Sequence, residues 1–73
     1  MVFIEPVIKN KIKLARVEKG LTQEELAELV GVTRQTIGLI EAGKYNPTVK
    51  LCLLLGKSLS KSLDDIFWLE EEN

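Results

Sequence analysis

The side chains with the most specific chemistry in this sequence lie between Thr22 and Gly43, where Arg34 and Gln35 stand next to each other. Arginine forms paired hydrogen bonds with guanine, and glutamine forms them with adenine, at base edges that the DNA major groove exposes. Both residues belong to the second of two short helical patterns, which meet at Gly31 with almost no linker. Such an arrangement most commonly places a short helix in the major groove. The pattern therefore favours nucleic-acid recognition.

Helix signals around this segment indicate how those side chains would be positioned. Thr22 followed by Glu25 is a capping box that begins one helix, and Gly31 ends it in a left-handed conformation. Thr33 and Thr48 begin the next two helices, which end near Gly43 and Leu59. The residues predicted to face inward are Leu26, Leu29, Val30, Val32, Ile37 and Ile40, followed on the fourth helix by Val49, Cys52, Leu55, Gly56 and Leu59. Ala27 must be small because the second and third helices would touch there.

The two ends of the chain are less regular. Residues 1–5 alternate weakly and predict a short strand or an ordered arm, and Pro6 suits the first turn of a helix that runs to about Lys19, before a capping Gly20. One face of that helix is predicted to comprise Ile8, Ile12 and Ala15. Residues 60–62 form a break, residues 63–67 predict one last helical turn, and residues 67–69 may extend as a strand.

These signals predict an all-α fold, a compact bundle of four to five helices with short strands at both termini. The whole chain, residues 1–73, would be one domain, with an N-terminal arm at residues 1–6, a helix-turn-helix at residues 22–43 and a C-terminal segment with an acidic tail at residues 66–73. So small a domain often gains stability from a metal, disulfides or a partner.

The residue types argue against catalysis and metal binding. The sequence has no histidine and one cysteine, Cys52, so neither a Cys/His metal cluster nor an intrachain disulfide can form. No nucleophile stands with a plausible general base. We therefore predict a non-enzymatic protein that needs no cofactor and has no small-molecule substrate. With metals and disulfides excluded, self-association is the remaining source of additional stability for so small a domain. Cys52 is expected to be a small core residue.

The charge is unevenly distributed. A formal net charge of −1 and a pI near 5.4 would by themselves argue against nucleic acid. Five of the eleven acidic residues lie in the last ten positions, which hold no lysine or arginine, so residues 1–63 carry a net charge of +4. A mildly basic body can bind DNA through a local patch, and the acidic tail is most simply a solvated end.

The expected location is the cytoplasm. No segment approaches the ~18 to 20 apolar residues that a membrane span requires. The N-terminus has no basic region ahead of a long apolar run, so it does not have the pattern of a signal peptide.

Residues 22–43 and their surroundings resemble the helix-turn-helix of the Cro/repressor family of phage and bacterial regulators, the XRE family. The resemblance extends from about Ile12 to Phe67 and is supported by residues 19–23, 40–44, 46–48 and 63–67. It implies a compact five-helix domain that binds double-stranded operator DNA, usually as a dimer.

The resemblance also implies roles for individual residues. The third helix would contact base edges through Arg34, Gln35, Thr36 and Leu39, with Arg34 on guanine, Gln35 on adenine and Leu39 against a thymine methyl. Gly38 has no side chain and would leave a gap on the side of the third helix that contacts DNA. Contacts with the DNA backbone would come from Gln23, Thr33, Lys44, Tyr45 and Asn46. Arg16 and Glu41 match an ion pair that ties the first helix to the end of the third.

The chain departs from the family in its surface apolar residues. The family usually has polar side chains where this chain has Leu14, Val17 and either Leu53 or Leu54, and Leu54 is predicted to project away from the core. The N-terminal arm, residues 67–69 or a second subunit would have to cover them. We favour a homodimer, with an interface comprising Leu14, Val17, Leu54, Phe67, Trp68 and Leu69. Ser60 and Lys61 replace a capping glycine and a buried valine, so the start of the last helical turn is expected to be displaced.

The sequence therefore predicts a sequence-specific DNA-binding transcriptional regulator, a dimeric repressor that reads a near-palindromic operator. Two alternatives remain at this point. One is the antitoxin of a toxin–antitoxin pair, with a toxin as its protein partner. The other is a helical protein-interaction module without DNA binding.

Overall fold

Five helices form the body of the described part of the chain, and two short strands pair at the two ends of that part. The computed structural model describes residues 6–71. The elements in chain order are β1 (Pro6–Asn10), α1 (Ile12–Glu18), α2 (Gln23–Val30), α3 (Arg34–Glu41), α4 (Val49–Leu59), α5 (Leu63–Ile66) and β2 (Phe67–Glu71). The predicted all-α fold with short terminal strands is confirmed, and the strand predicted at residues 67–69 extends to Glu71.

The first helix begins later than predicted. Residues Pro6–Asn10 form β1, so the prediction of a helix that starts at Pro6 and buries Ile8 is wrong. β1 pairs antiparallel with β2, with Asn10 opposite Phe67. The β-branched residues at positions 7 and 8 favour a strand once a partner is available, and that partner lies at the other end of the chain. The strand or arm predicted for residues 1–5 lies outside the described residues.

Asn10 makes the junction between β1 and the helical body. Its Oδ1 accepts a hydrogen bond from the Ile12 N–H at 3.0 Å, which satisfies one free donor at the start of α1. Its Nδ2 donates to the Ile40 carbonyl at 2.9 Å, near the end of α3. The Lys11 N–H donates to the Ile66 carbonyl at 2.9 Å. The start of α1 is thus fixed to both α3 and α5.

The predicted helix boundaries in the middle of the chain are confirmed. The Thr22 hydroxyl accepts from the Glu25 N–H at 3.0 Å, and the Glu25 carboxylate accepts from the Thr22 N–H at 2.8 Å. These bonds from Thr22, the backbone one first, lower the pKa of the Glu25 carboxyl. Thr33 and Thr48 cap α3 and α4 in the same way, through their hydroxyl groups.

The core is aliphatic and draws on all five helices. Its fully buried side chains include Ile12, Leu26, Ile37, Ile40, Leu55, Leu59 and Ile66. Two residues predicted to face inward do not, since Leu29 is 58% exposed and Val49 is 73% exposed. Leu51 is buried in place of Val49, and Leu54 packs partly against the core, so its predicted outward projection is wrong. Four-residue spacing from Leu51 through Leu55 to Leu59 sets the buried face of α4, and Cys52 lies half-buried at its margin.

The end of α4 adopts a conformation that usually favours glycine. Ser60 has φ 57, and it is the one non-glycine residue among those described with a positive φ. The next turn passes so close to α4 that a Cβ on Gly56 would lie 2.8 Å from the Lys61 carbonyl oxygen. Ser60 therefore forms a left-handed cap at the end of α4 although it carries a side chain.

Replacing Ser60 with glycine is expected to raise the free energy of unfolding by about 0.5–1 kcal/mol, because relief of the left-handed strain exceeds the added entropy of the unfolded chain. The exposed hydrogen bond from Lys19 Nζ to Ser60 Oγ, 2.9 Å long, is a small loss. Urea denaturation followed by circular dichroism measures the change. Ser58→Gly, inside α4, is the matched control and should lower stability by about 0.5–1 kcal/mol. Equal effects of the two substitutions would contradict the strain at Ser60.

Candidate nucleic-acid interface

α2 and α3 form a helix-turn-helix whose turn depends on two small residues. Gly31 ends α2 with φ 77, and the following Val32 N–H donates to the Ala27 carbonyl at 3.0 Å. Ala27 is 2% exposed, which leaves no room for a larger side chain between the two helices. On α3 itself, Ile37 and Ile40 are buried in the core. The opposite side of α3 is therefore presented outward.

The N-terminal turn of α3 exposes Arg34 and Gln35. Neither side chain is hydrogen-bonded or ion-paired to any other part of residues 6–71. Thr33 is used differently, because its hydroxyl accepts from the Thr36 N–H at 3.2 Å and lies 3.0 Å from the Thr36 hydroxyl. Leu39 follows Gln35 by one turn and is 39% exposed. The turn thus holds two free polar side chains on a capped, rigid helix end.

A charged network lies under α3 and fixes its far end. Arg16 Nε donates to Glu41 Oε2 at 2.7 Å, and Arg16 Nη2 lies 3.4 Å from Glu41 Oε1. Arg16 Nη1 also donates to the Leu21 carbonyl at 2.8 Å. The side chains of Arg16 and Glu41 are 11% and 5% exposed. The predicted ion pair is present, and it joins α1, the loop before α2 and α3.

Gln23 belongs to the same network. Its Nε2 donates to Glu41 Oε1 at 3.0 Å. An amide NH₂ carries two donors, so one remains for another acceptor. Gln23 is also the first residue of α2, and the free N–H groups of a helix N-terminus favour the binding of anions.

The residues that follow α3 are exposed. Gly43 ends the helix with φ 73, and the Lys44 N–H closes the turn by donating to the Leu39 carbonyl at 2.9 Å. Tyr45 is 43% exposed, and Asn46 is exposed as well. The loop therefore presents a cation and two hydrogen-bonding side chains directly after the helix that carries Arg34.

Comparison with known proteins identifies the family to which this helix-turn-helix belongs. Residues 12–66, three quarters of the chain, match the model of the helix-turn-helix family. The chain belongs to the XRE-type helix-turn-helix family of DNA-binding transcriptional regulators. The resemblance inferred from the sequence is confirmed. Neither of the two alternative functions considered from the sequence is favoured by this membership.

Several helix-turn-helix relatives match nearly the whole chain. YgzD of Bacillus subtilis, named as an uncharacterized transcriptional regulator, is 52% identical over 66 residues, which cover 90% of this chain and 100% of the relative. MJ0272 of Methanocaldococcus jannaschii, named in the same way, is 46% identical, and the match covers 89% of this chain and 98% of the relative. The restriction-modification controller protein C.AhdI of Aeromonas hydrophila is similar in structure, with a TM-score of 0.69 and 33% identity, over 74% of this chain and 82% of that protein.

The residues predicted to pair two helix-turn-helix subunits differ in how far they are exposed. Leu14 and Val17 of α1 are 56% and 57% exposed. Leu54 and Phe67 pack partly against the core of their own chain. Lys11 Nζ lies over the Trp68 ring, 5.7 Å from the ring centroid. Leu69 is 66% exposed.

Sequence reasoning missed two polar contacts that position the helix-turn-helix. The first is the bond from Gln23 to Glu41, which no spacing rule predicts because the residues belong to different helices. The second is the pair of bonds made by Asn10, for which the sequence does offer a signal, since asparagine just before a helix is a common cap. Over residues 6–71, no helix is long and apolar enough to cross a membrane.

Proposed function

We propose that the protein binds operator DNA sequence-specifically as a homodimer and represses transcription from a near-palindromic site. The observation that carries the proposal is the free pair Arg34 and Gln35 at the capped N-terminus of α3. Polar side chains that have no partner in the protein lose nothing within it when they bind a base edge. The buried network at Glu41 holds the helix that bears them.

In this proposal the first turn of α3 reads the bases. Arg34 donates two hydrogen bonds to O6 and N7 of a guanine, and Gln35 pairs with N6 and N7 of an adenine. Leu39 is exposed on the following turn and contacts a thymine methyl. Thr36 contributes a methyl group to the same edge, because its hydroxyl is engaged with that of Thr33.

The backbone contacts come from both sides of that turn. Gln23 donates its second amide hydrogen to a phosphate at the N-terminus of α2, and Thr33 contacts the DNA backbone at the N-terminus of α3. Lys44, Tyr45 and Asn46 contact the sugar-phosphate backbone beyond α3. These contacts fix the register of the protein on the duplex without reading its sequence. They operate despite the net charge of −1, because the acidic residues are concentrated near the C-terminus.

Two copies related by a two-fold axis place two α3 helices in successive major grooves, about 34 Å apart. The operator then has two inverted half-sites one helical turn apart. A dimer bound across a promoter excludes other proteins from that DNA, which makes repression the simplest consequence of binding.

Selection of bound duplexes from a random pool tests the proposal. We expect enrichment of an inverted repeat with a centre-to-centre spacing of about 10 base pairs. Affinity for the enriched duplex should fall steeply between about 50 and 200 mM salt. Failure to retain any duplex at about 50 mM salt would refute DNA binding. Enrichment of a single, asymmetric half-site would refute the two-fold arrangement while leaving base reading by α3 in place.

Lys44→Ala is expected to weaken binding evenly across all duplex sequences and to lower the slope of log affinity against log salt by about one, because one phosphate contact is lost. Fluorescence anisotropy at several salt concentrations measures both quantities. Lys57→Ala, on the exposed side of α4, is the control and should leave the slope unchanged. A changed order of preference among operator variants would show that Lys44 reads bases.

A further inference from the structure

Gly38 stands in the interior of α3, where alanine would make the helix more stable. It is the fifth residue of Arg34–Glu41, and its φ is not positive, so no left-handed turn calls for a glycine there. Glycine inside a helix is destabilising relative to alanine, because it loses more backbone entropy on folding. The protein therefore gives up stability at this position of α3.

No contact within residues 6–71 requires a glycine at position 38. A Cβ atom on Gly38 would have one neighbour outside the backbone of α3 within 4 Å, Gln23 Nε2 at 3.9 Å, which is an ordinary van der Waals separation. Gly56 shows the opposite case, because a Cβ there would lie 2.8 Å from the Lys61 carbonyl oxygen. A requirement for glycine at position 38 therefore comes from a molecule that α3 binds.

Gly38 lies among the residues proposed above to contact DNA. It follows Arg34 by four residues and Gln35 by three, so at 100° per residue it lies between them around α3 and one turn further along. On the side towards α2 its neighbour is the amide of Gln23, to which the phosphate contact is assigned. The missing side chain thus leaves a gap between two base-reading side chains and a phosphate contact. We call this space the Gly38 gap.

The Gly38 gap is small and offers no free backbone group for hydrogen bonding. Its floor is half-buried, below the exposed side chains of Arg34 and Gln35. The Gly38 carbonyl accepts from the Ala42 N–H at 3.0 Å, and an N–H in the interior of a helix is bonded to the carbonyl four residues earlier. A polar group placed against this floor would lose its hydrogen bonds to water without replacement, so the floor favours an apolar group.

The major groove of DNA offers one apolar group on its base edges, the C5-methyl group of thymine. That methyl group has the size of the Cβ that Gly38 lacks. Leu39, to which another thymine contact is assigned above, lies 100° from Gly38 around α3, on the far side of Gln35. The two positions therefore face different bases.

We propose that the Gly38 gap receives the methyl group of a thymine, so that Gly38 determines the preference for thymine at one position of each half-site. The absence of a side chain is then the recognition element, because any Cβ would occupy the space that the methyl group fills. The stability given up at Gly38 is the cost of this complementarity. The proposal deepens the DNA binding proposed above and rests on it.

Replacement of thymine by deoxyuridine tests the proposal without changing the protein, because uracil pairs with adenine but has no methyl group. The duplex is the one enriched from the random pool, and each thymine of the half-site is replaced in turn. At the thymine in the Gly38 gap, binding by the unmodified protein should weaken about 4-fold per half-site, the value for one buried methyl group. Fluorescence anisotropy measures the affinities.

Gly38→Ala should reverse this preference for thymine. Its methyl group fills the gap, so binding to the thymine duplex should weaken at least ~10-fold, while binding to the matching uracil duplex should stay within about 2-fold of the unmodified protein. Stability should change in the opposite direction, with a melting temperature about 4–8 °C higher by circular dichroism. Weaker binding by a more stable protein is not a consequence of unfolding.

Leu39→Ala is the matched control, because it shortens a side chain on the same exposed side of α3. It should keep the preference for thymine at the Gly38 position and lose the preference at a different thymine. Equal thymine-to-uracil ratios for Gly38→Ala and the unmodified protein at every position would overturn the proposal. A less stable Gly38→Ala would also overturn it, since the glycine would then be required within the protein.

The outcome also distinguishes this inference from the proposed function. If the unmodified protein binds the enriched duplex but no thymine shows a preference that depends on Gly38, the gap is not a recognition element and DNA binding stands. If the unmodified protein binds no duplex at about 50 mM salt, DNA binding itself is refuted, and the inference with it.

Discussion

Arg16→Ala should lower the free energy of unfolding by about 3–5 kcal/mol, because it leaves the Glu41 carboxylate buried without its cation. The Glu41 side chain is 5% exposed, and its two oxygens accept from Arg16 at 2.7 and 3.4 Å. After the substitution, Gln23 alone would remain as a donor to that carboxylate. The Leu21 carbonyl would also lose its bond from Arg16. Urea denaturation with detection of Trp68 fluorescence measures the loss.

Two comparisons show whether the loss comes from a stranded charge. Lys61→Ala removes an exposed ion pair with Glu18, 3.7 Å long, and should cost no more than about 1 kcal/mol. Arg16→Met combined with Glu41→Leu removes both charges and should cost clearly less than Arg16→Ala alone. If the double variant were as unstable as the single one, packing of the arginine side chain would be the cause.

Arg34→Ala should weaken binding to the preferred duplex by about 1–3 kcal/mol for each half-site and relax selectivity at one base pair. The reason is that the guanidinium group, exposed and unpaired in the described chain, supplies two hydrogen bonds to one guanine. Stability should be almost unchanged, since the side chain has no partner to lose. Competition binding against duplexes altered at each position in turn measures the effect.

Arg34→Lys is the informative companion of that variant. Lysine keeps the charge but has no planar pair of donors, so it should retain most phosphate attraction and lose most of the base selectivity. If Arg34→Ala weakened every duplex equally while Arg34→Lys bound normally, Arg34 would be a phosphate contact and another residue of α3 would read the guanine.

The parts of this structure that sequence predicts well are those whose signals are local. The capping box at Thr22, the left-handed turn at Gly31 and the caps at Thr33 and Thr48 all depend on residues within four positions of one another. The helix-turn-helix and the exposure of Arg34 and Gln35 follow from those boundaries. Family resemblance added the pair Arg16 and Glu41, which local patterns do not reveal.

The features that escaped prediction depend on contacts between distant segments. Pro6 is a good first residue of a helix, but the pairing of β1 with β2 outweighs that preference. On α4, six apolar residues leave the buried face undetermined by periodicity, and the neighbouring helices select Leu51 over Val49. The amide of Gln23 reaches Glu41 only because α2 and α3 pack as they do. Such contacts join residues that are distant in sequence and form only in the folded chain, so local patterns do not predict them.

The pairing of β1 with β2 also constrains the order in which the chain can fold. It joins Pro6 to Glu71 and Asn10 to Phe67, so nearly the entire described chain lies within the loop that the sheet closes. Closing so long a loop costs more entropy than any helix-to-helix contact in the body, and long-range pairings of this kind form slowly. During synthesis, β1 is made before β2 and has no partner until β2 emerges. The helical body can therefore assemble while both strands are still unpaired, and the sheet completes the fold last.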